Sequence, residues 1–191
     1  LYVELGLHTD SSKVQDKNGQ RANLMRTMRE VWEQPRVWAV VQRMAAEGDA
    51  TLGDFAETLV KEAIFLLNDA LGRLTDVHTR QEEMTDAEAW AKQPARERLK
   101  REAFLDSLKR TASGFLHLAK ASLAALLRLT ADLTVCAAFA QTPSRASKLA
   151  AMLTEFLRRL CGPEAQALKV ANPQKLGWDP KAMLSNTGRL L

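Results

Sequence analysis

Residues 52–77 carry apolar side chains in two adjoining stripes at helical spacing, and this pattern constrains the fold more than any other feature. One stripe is Phe55, Leu59, Ala63, Leu66, Ala70, Leu74 and Val77, and the other is Leu52, Ala56, Val60, Ile64, Leu67 and Leu71. A helix on a protein surface needs only one apolar stripe. We therefore predict a helix that starts at Thr51 or Asp54, runs to about Arg80, and is covered on two sides.

The composition favours helices along most of the chain. Of 191 residues, 46% are apolar, while only 9 are Gly and 6 are Pro. Ala, Leu, Arg, Lys and Glu dominate, which favours helix, and long β-branched runs are absent. A chain of this length is large enough for one domain with a sizeable core. The sequence therefore predicts an all-α protein with few or no strands.

Proline, glycine and capping residues divide the rest of the chain into further helices. Pro35, Pro94 and Pro143 are each placed to begin a helix, and Gly48 and Gly162 to end one. Thr85-Asp86-Ala87-Glu88 matches a capping box, which opens a short helix. The predicted helices are 20–34, 35–47, 51–80, 85–93, 94–140 with a bend at Gly114, 143–161 and a last one from Pro180.

These six or seven helices are joined by short links and follow no strict repeat period. Adjacent helix pairs without a clear repeat favour an irregular, armadillo-like helical superhelix of stacked pairs. A closed bundle is the structural alternative. We predict that residues 1–18 form a poorly structured N-terminal segment and that residues 19–191 form the helical core.

The charge pattern does not favour nucleic acid as a partner. The net charge is +4, and basic residues alternate with acidic ones, as in Arg96-Glu97-Arg98. Nucleic-acid binders usually concentrate basic charge on one face and interleave aromatic residues for stacking. We therefore expect no nucleic-acid partner.

The apolar run 115–140 resembles a membrane span only superficially. His117, Lys120, Arg128 and Asp132 interrupt it, and each charge at the centre of a bilayer would cost a few kcal/mol. A buried helix of a soluble protein is the preferred interpretation, with Arg128 and Asp132 four residues apart and able to pair. Leu1–Leu7 lacks the features of a signal sequence, so we expect the chain to begin at a boundary within a longer protein.

The sequence contains candidate reactive residues but no recognisable catalytic or metal-binding pattern. His8, His78 and His117 are not spaced as metal ligands. Cys136 and Cys161 lie in apolar helical contexts and are interpreted as small packed residues, because a nucleophilic cysteine needs a nearby base and a stabilised thiolate. Two cysteines form no disulfide framework, which favours a reducing compartment. We predict no catalytic, cofactor-binding or metal-binding residue.

Other polar and aromatic groups have a structural explanation. Gly48 and Gly53 lack the lysine and the spacing of a phosphate-binding loop. The acidic residues Glu82, Glu83, Asp86 and Glu88 are interpreted as a solvated linker between helices. The four tryptophans, which are expected to anchor the core, are Trp32, Trp38, Trp90 and Trp178. For Trp178 the alternative is an exposed binding lip, which is less favoured because large aromatic side chains are seldom exposed.

Three patches of the sequence, taken together, carry a family resemblance. The first is Arg29-Glu30-Val31-Trp32, and the second is Phe65-Leu66-Leu67-Asn68-Asp69-Ala70-Leu71 with Leu74, Val77-His78 and Gln81-Glu82-Glu83-Met84. The third and most specific runs from Leu149 through Cys161-Gly162-Pro163, Leu168-Lys169-Val170, Asn172-Pro173 and Gly177 to Pro180-Lys181. In this order the patches resemble the core domain of the ubiquitin chain elongation factors, which are U-box ligases. The chain departs from that family at Lys61-Glu62, where an Asn-Asp pair is usual, and at Leu176, where a second aromatic is usual.

The resemblance implies the scaffold part of a ligase that extends polyubiquitin on already ubiquitinated substrates. It implies a U-box beyond residue 191 that recruits a ubiquitin-conjugating enzyme, so this chain alone is not expected to be active. The implied partners are ubiquitinated substrates, a segregase AAA ATPase and the ubiquitin-like domains of shuttle factors, in the cytoplasm or nucleus. The alternative is a non-catalytic helical-repeat adaptor unrelated to ubiquitin.

Overall fold

The computed structural model of the protein describes residues 14–140 and 142–190, and in these ranges it contains helices and no strand. The prediction of an all-α fold is therefore confirmed, while the armadillo-like stacking stays a prediction. The α-helices are α1 (Val14–Trp32), α2 (Pro35–Ala46), α3 (Ala50–Glu82), α4 (Ala87–Ala91), α5 (Ala95–Thr130), α6 (Leu133–Ala140), α7 (Pro143–Cys161) and α8 (Pro180–Gly188). Two 3₁₀ helices, Pro163–Leu168 and Pro173–Leu176, connect α7 to α8.

Helices α3 and α5 pack along each other and form the centre of the molecule. The two apolar stripes of α3 are both covered, as predicted, because the neighbouring residues Leu66 and Leu67 are each only 1% exposed. Helix α1 lies against α5, and α7 lies against α3. The two long helices therefore form an inner layer on which the shorter helices are placed.

A buried ion pair joins α1 to the inner layer. The guanidinium of Arg21 contacts the carboxylate of Glu62, and both side chains are largely shielded from solvent. Burying a charge without a partner is costly, whereas a paired charge is tolerated. This pair therefore fixes α1 against α3.

Helix α1 begins at Val14, earlier than the predicted start at Gln20. Gly19 lies inside this helix, and one glycine inside a helix costs only about 1 kcal/mol and can be tolerated. The predicted poorly structured segment therefore does not extend over residues 14–18. Residues 1–13 lie outside the described part of the chain, so the prediction for them is not addressed.

The second long helix runs through Gly114 but breaks where continuity was predicted. Gly114 lies inside α5, as expected of a glycine that does not stop the helix, and the neighbouring Phe115 and Leu116 are buried. The helix ends instead at Thr130, and α6 departs at 115°. Asp132 begins the new helix, because its Oδ1 accepts hydrogen bonds from the backbone N–H groups of Thr134 at 2.9 Å and Val135 at 3.2 Å.

The predicted ion pair between Arg128 and Asp132 is wrong. Because the helix breaks at Ala131 and Asp132, the two side chains no longer lie one turn apart on a common helix. Arg128 stacks over the ring of Trp38 at 3.6 Å and donates to the carbonyl of Trp32 at 3.2 Å. Asp132 instead accepts hydrogen bonds from the α2 side chains of Trp38 and Gln42.

Within the described residues, no single helix meets the length and hydropathy expected of a membrane span. Helices α5 and α6 reach that length and hydropathy only when they are counted together across the 115° bend between them.

Candidate functional site

The segment that follows α7 is held on the inner layer by a dense set of contacts, and we call residues 162–179 the C-terminal strap. Its path follows from its glycine, proline and asparagine residues. A Cβ at Gly162 would collide with the carbonyl oxygen of Arg158, so only glycine fits where α7 ends. Asn172 and Gly177 adopt left-handed backbone conformations with φ of 55° and 70°, which these residue types tolerate best.

Apolar anchors hold the strap to the helices beneath it. Leu168, Val170, Leu176 and Trp178 are all buried, and Trp178 is only 4% exposed. The indole Nε1 of Trp178 donates to the carbonyl oxygen of Leu168 at 3.2 Å. Trp178 is therefore a packing anchor, as favoured from the sequence, and not an exposed binding lip.

Three side chains from the inner layer bind the backbone of the strap. His78 Nδ1 donates to the carbonyl oxygen of Lys169 at 2.5 Å, and Gln81 Oε1 accepts from the N–H of Ala171 at 2.8 Å. From α5, Lys120 Nζ donates to the carbonyl oxygen of Gly177 at 2.5 Å. These bonds satisfy backbone groups that a helix or sheet would otherwise pair. The strap is therefore fixed at several points along its length.

Helix α8 leaves the strap in a fixed direction. Asp179 Oδ1 accepts from the N–H of Ala182 at 3.0 Å and so caps the helix. Met183 and Thr187, four residues apart on one face, are 1% and 2% exposed. A segment following α8 would therefore start from a defined position on the scaffold.

A charge cluster ties α7 to α3 at the other end of α7. Glu57 accepts from Lys148 Nζ at 2.9 Å and from Lys61 Nζ at 2.8 Å, and the guanidinium of Arg145 lies 3.9 Å away. The hydrogen bonds from Lys61 and Lys148 lower the pKa of Glu57 from 4.5 to about 2. Arg145 also donates to the carbonyl oxygen of Ala138 at 3.2 Å, which includes the end of α6 in the cluster.

A second cluster locks the end of α7 to the start of the strap. Arg158 bridges Glu155 at 2.8 Å and Glu164 at 2.5 Å. The hydrogen bond from Arg158 holds the pKa of Glu155 below its ordinary value, and the same carboxylates raise the pKa of Arg158. Arg159 donates to Asn68 Oδ1 at 3.2 Å, so this end of α7 is also attached to α3.

The histidines found in the described residues have structural partners. His78 binds the strap, and His117 accepts at Nε2 from Arg26 at 3.2 Å, because a guanidinium can only donate. His8 lies outside the described residues. Over residues 14–140 and 142–190, no group of three or more His, Cys, Asp or Glu side chains could hold a metal ion.

The two cysteines differ from each other. Cys136 is half-buried in α6, whereas Cys161 is exposed, so the prediction that Cys161 is packed is wrong. Cys161 lies in the last turn of α7, and at helical spacing it falls on a different face from the buried residues of this helix, which are Met152, Leu153 and Phe156. Exposure alone does not make a nucleophile, which also needs a base or a stabilised thiolate.

The acidic linker is solvated, as interpreted from the sequence. Asp86 caps α4 by accepting from the N–H groups of Glu88 and Ala89. Glu83 pairs with Arg80 at 2.8 Å, and Glu88 pairs with Lys92 at 2.6 Å. These pairs are exposed, and such pairs contribute little to stability. The acidic residues thus serve as caps and surface pairs.

Sequence analysis missed the side chains that hold the helices and the strap together. Three of these contacts join residues that are far apart in the sequence. Arg128 stacks over Trp38, Asp132 accepts a hydrogen bond from Trp38, and Lys120 donates one to the carbonyl oxygen of Gly177. No local spacing rule could find them. A weak signal was present: charged residues within the otherwise apolar run 115–140 needed partners, and α2 and the strap supply them.

Taken together, the described geometry is that of helices held to one another by non-covalent contacts. Its polar clusters fix helices relative to one another and fix the strap and α8 on the inner layer. The hydrogen bonds of these clusters connect helices and loops to each other.

Comparison with known proteins identifies similar sequences along the whole chain. The sequence model described as ubiquitin elongating factor core matches residues 1–188. The probable ubiquitin conjugation factor E4 of Arabidopsis thaliana is 25% identical over 191 residues, which is all of this chain and 18% of that protein. The ubiquitin conjugation factor E4 of Schizosaccharomyces pombe is 27% identical over 187 residues, 97% of this chain and 18% of that protein.

A third relative covers a shorter region at higher identity. The E4 ubiquitin-protein ligase UFD2 of Saccharomyces cerevisiae is 34% identical over 132 residues, which is 68% of this chain and 13% of that protein. The chain therefore spans less than a fifth of the length of the curated relatives it matches.

Proposed function

Because the chain belongs to the ubiquitin elongating factor core family, we propose that it is scaffold from a ubiquitin chain elongation ligase. The whole protein would extend polyubiquitin on already ubiquitinated substrates. The match of the family model to residues 1–188 carries this proposal. The names of the relatives, which are ubiquitin conjugation factors E4 and an E4 ubiquitin-protein ligase, support it.

The proposed task of this chain is geometric. A rigid spacer that holds two binding elements at a fixed separation raises their effective concentration without any new contact. The long helices α3 and α5, of 33 and 36 residues, supply a stiff inner layer. The strap and α8 are attached to that layer by His78, Gln81 and Lys120, which supports a fixed exit for whatever follows α8.

The proposed partners come from the family resemblance. A U-box elsewhere in the full protein would recruit a ubiquitin-conjugating enzyme, and the scaffold would present ubiquitinated substrates, a segregase AAA ATPase and ubiquitin-like domains of shuttle factors. The proposed location is the cytoplasm or nucleus. In this proposal the chain contributes positions and no reacting group.

The test is a chain-extension assay on a monoubiquitinated substrate with a charged ubiquitin-conjugating enzyme. Three proteins are compared: the full-length protein, the same protein lacking everything C-terminal to Leu191, and the 191-residue chain alone. We expect extension only by the full-length protein. Extension by the isolated chain would contradict the geometric role, and no extension by any of the three would favour the helical adaptor.

A variant of the strap tests the geometric claim within the full-length protein. Trp178→Ala removes the buried anchor of the strap, whereas Trp90→Ala removes a half-buried tryptophan of α4, outside the strap. We expect Trp178→Ala to slow chain extension and Trp90→Ala to leave it near the parent rate. Equal rates for Trp178→Ala and the parent would contradict a role for the strap in positioning.

A further inference from the structure

A basic groove lies where α1, the middle of α5 and the second 3₁₀ helix of the strap meet. Its volume is about 480 Å³, and it is open to solvent. We call it the basic groove, and its lining residues are Gly19, Lys109, Arg110, Ser113, Gly114, His117, Lys175 and Leu176. The side chains that bind the backbone of the strap are His78, Gln81 and Lys120, and none of them lines the groove.

All the charged residues that line the basic groove are lysine or arginine. Within the described residues, Arg110 and Lys175 form no ion pair, and Lys109 pairs only with Asp106 of its own helix at 3.3 Å. The guanidinium of Arg26 lies beside His117 and adds a further positive charge at the edge. Arg110 and Lys175 therefore leave positive charge in the groove that no acidic side chain of the described residues pairs with, although the chain as a whole is only +4.

The spacing of these groups suits an extended chain. Lys109, Ser113 and His117 recur every four residues and so line one face of α5. From Lys109 to His117 the helix rises about 12 Å, at 1.5 Å per residue. An extended peptide covers that distance with about four residues, at roughly 3.3 Å each. Lys175 faces the same groove from the strap, so a peptide lying there would meet basic groups from two elements.

We propose that the basic groove binds an extended segment of a partner protein that is rich in Glu and Asp. Carboxylates would pair with Lys109, Arg110 and Lys175, and the hydroxyl of Ser113 would be within the same lining. Single-stranded nucleic acid is disfavoured, because no Phe, Tyr or Trp side chain lines the groove and base stacking supplies much of the affinity of such sites. This inference does not rest on the proposed role in ubiquitin chain elongation.

The sequence offers a matched control for the test. Lys100-Arg101 repeats the pair Lys109-Arg110 nine residues earlier in α5. Nine residues are two and a half turns at about 100° per residue, so the two pairs point to opposite faces of the helix. The double variants Lys109→Glu/Arg110→Glu and Lys100→Glu/Arg101→Glu thus change the net charge equally, but only the first changes the basic groove.

The experiment measures the binding of a fluorescein-labelled ten-residue glutamate peptide to the 191-residue chain by fluorescence anisotropy. We expect the Lys109→Glu/Arg110→Glu variant to bind at least about tenfold more weakly and the Lys100→Glu/Arg101→Glu variant to bind within about threefold of the parent. Lys175→Glu, on the strap, should also weaken binding. Binding of the glutamate peptide by the parent chain should fall as the salt concentration rises, because exposed charges are screened. Thermal melts verify that each variant is folded.

Three outcomes would overturn the proposal. The first is equal weakening by both double variants, which would indicate attraction to net charge alone. The second is no binding of the glutamate peptide at about 1 mM, the weak end of specific recognition. The third is tighter binding of a ten-nucleotide single-stranded DNA that is lost in the Lys109→Glu/Arg110→Glu variant, which would assign the groove to nucleic acid.

Discussion

The carboxylate of Asp132 accepts a hydrogen bond from the indole Nε1 of Trp38 at 3.0 Å, across 94 residues of sequence. The guanidinium of Arg128 lies over the same indole ring, 3.6 Å from its centre. Gln42 donates to the same Asp132 oxygen at 2.7 Å. One tryptophan of α2 therefore joins the end of α5 to the start of α6, and this junction sets where the second long helix stops.

Removing the carboxylate of Asp132 should destabilise this junction. Asp132→Ala removes the cap of α6 and leaves the donors of Trp38 and Gln42 without a partner. We expect the free energy of unfolding to fall by about 2 kcal/mol, the usual cost of a lost cap and a lost polar contact. Chemical denaturation followed by circular dichroism measures it. Asp106→Ala, which removes an exposed carboxylate of α5, should cost less than about 0.5 kcal/mol, and an equal loss in both variants would contradict the role of the junction.

At neutral pH Asp132 should be ionised, and its ionised form should stabilise the folded protein. Burial raises the pKa of Asp132, but hydrogen bonds from Gln42, Trp38 and the backbone of Val135 and Thr134 outweigh burial and lower it overall. The charged form is therefore the one that the folded structure stabilises.

Acid should weaken the attachment of α7 to α3 through Glu57. The folded pKa of about 2 lies below the ordinary value of 4.5. A carboxyl whose pKa is lowered by folding stabilises the protein above its ordinary pKa, and that contribution is lost as pH falls toward the folded pKa. We expect stability to fall between pH 4.5 and about 2, and to fall less in Glu57→Gln.

The measurement for Glu57 is the difference in melting temperature between parent and Glu57→Gln across this pH range, since other carboxylates titrate there too. The gap should be largest near neutral pH and close toward pH 2. Glu88→Gln, at an exposed pair on α4, should follow the parent at every pH. A gap for Glu57→Gln that stays constant with pH would refute this assignment.

A charge at Leu153 should disrupt the packing of α7. Leu153 is 4% exposed, and an aspartate there would be buried without a partner. We expect Leu153→Asp to lose about 3 kcal/mol or more of stability and to release the C-terminal end of the chain. Thr154→Asp adds the same charge at the next residue, which is exposed, and should melt near the parent temperature. A Leu153→Asp protein that melts with the parent would show that this face of α7 is not buried.

The hydrogen bond of Trp178 should contribute to the order of the strap. Trp178→Phe keeps an aromatic ring but loses the N–H that binds the carbonyl of Leu168. We expect a loss of about 1 kcal/mol and faster amide hydrogen exchange confined to the strap and α8. Trp90→Phe serves as the control on α4. Unchanged exchange at Ala171 and Gly177 in Trp178→Phe would mean that the strap is held without this bond.

Much of the fold followed from local patterns. The paired stripes of residues 52–77 predicted a helix covered on two sides, and the burial of both Leu66 and Leu67 confirms it. Pro35, Pro143 and Pro180 each begin a helix as predicted, and Gly162 ends one. These features depend on neighbours within a few residues, which is why they could be predicted without tertiary contacts.

Other features could not be predicted because they depend on residues distant in sequence. The helix over residues 115–140 was expected to be continuous, but it ends at Thr130 and α6 departs at 115°. Arg128 and Asp132 were expected to pair, but Arg128 stacks over Trp38, and Asp132 accepts hydrogen bonds from Trp38 and Gln42. The basic groove likewise brings Lys175 of the strap beside Lys109 of α5, and neither segment alone indicates a binding site.

The sequence by itself determined that the chain is helical, where most helices begin and end, and which family it resembles, because caps, breakers and apolar periodicity act over one or two turns. Only the tertiary structure decided where the second long helix breaks, how the strap is held and which basic residues share a groove. Those outcomes depend on which side chains meet once the helices pack, and a polar or charged group takes the partner that packing brings within hydrogen-bond distance.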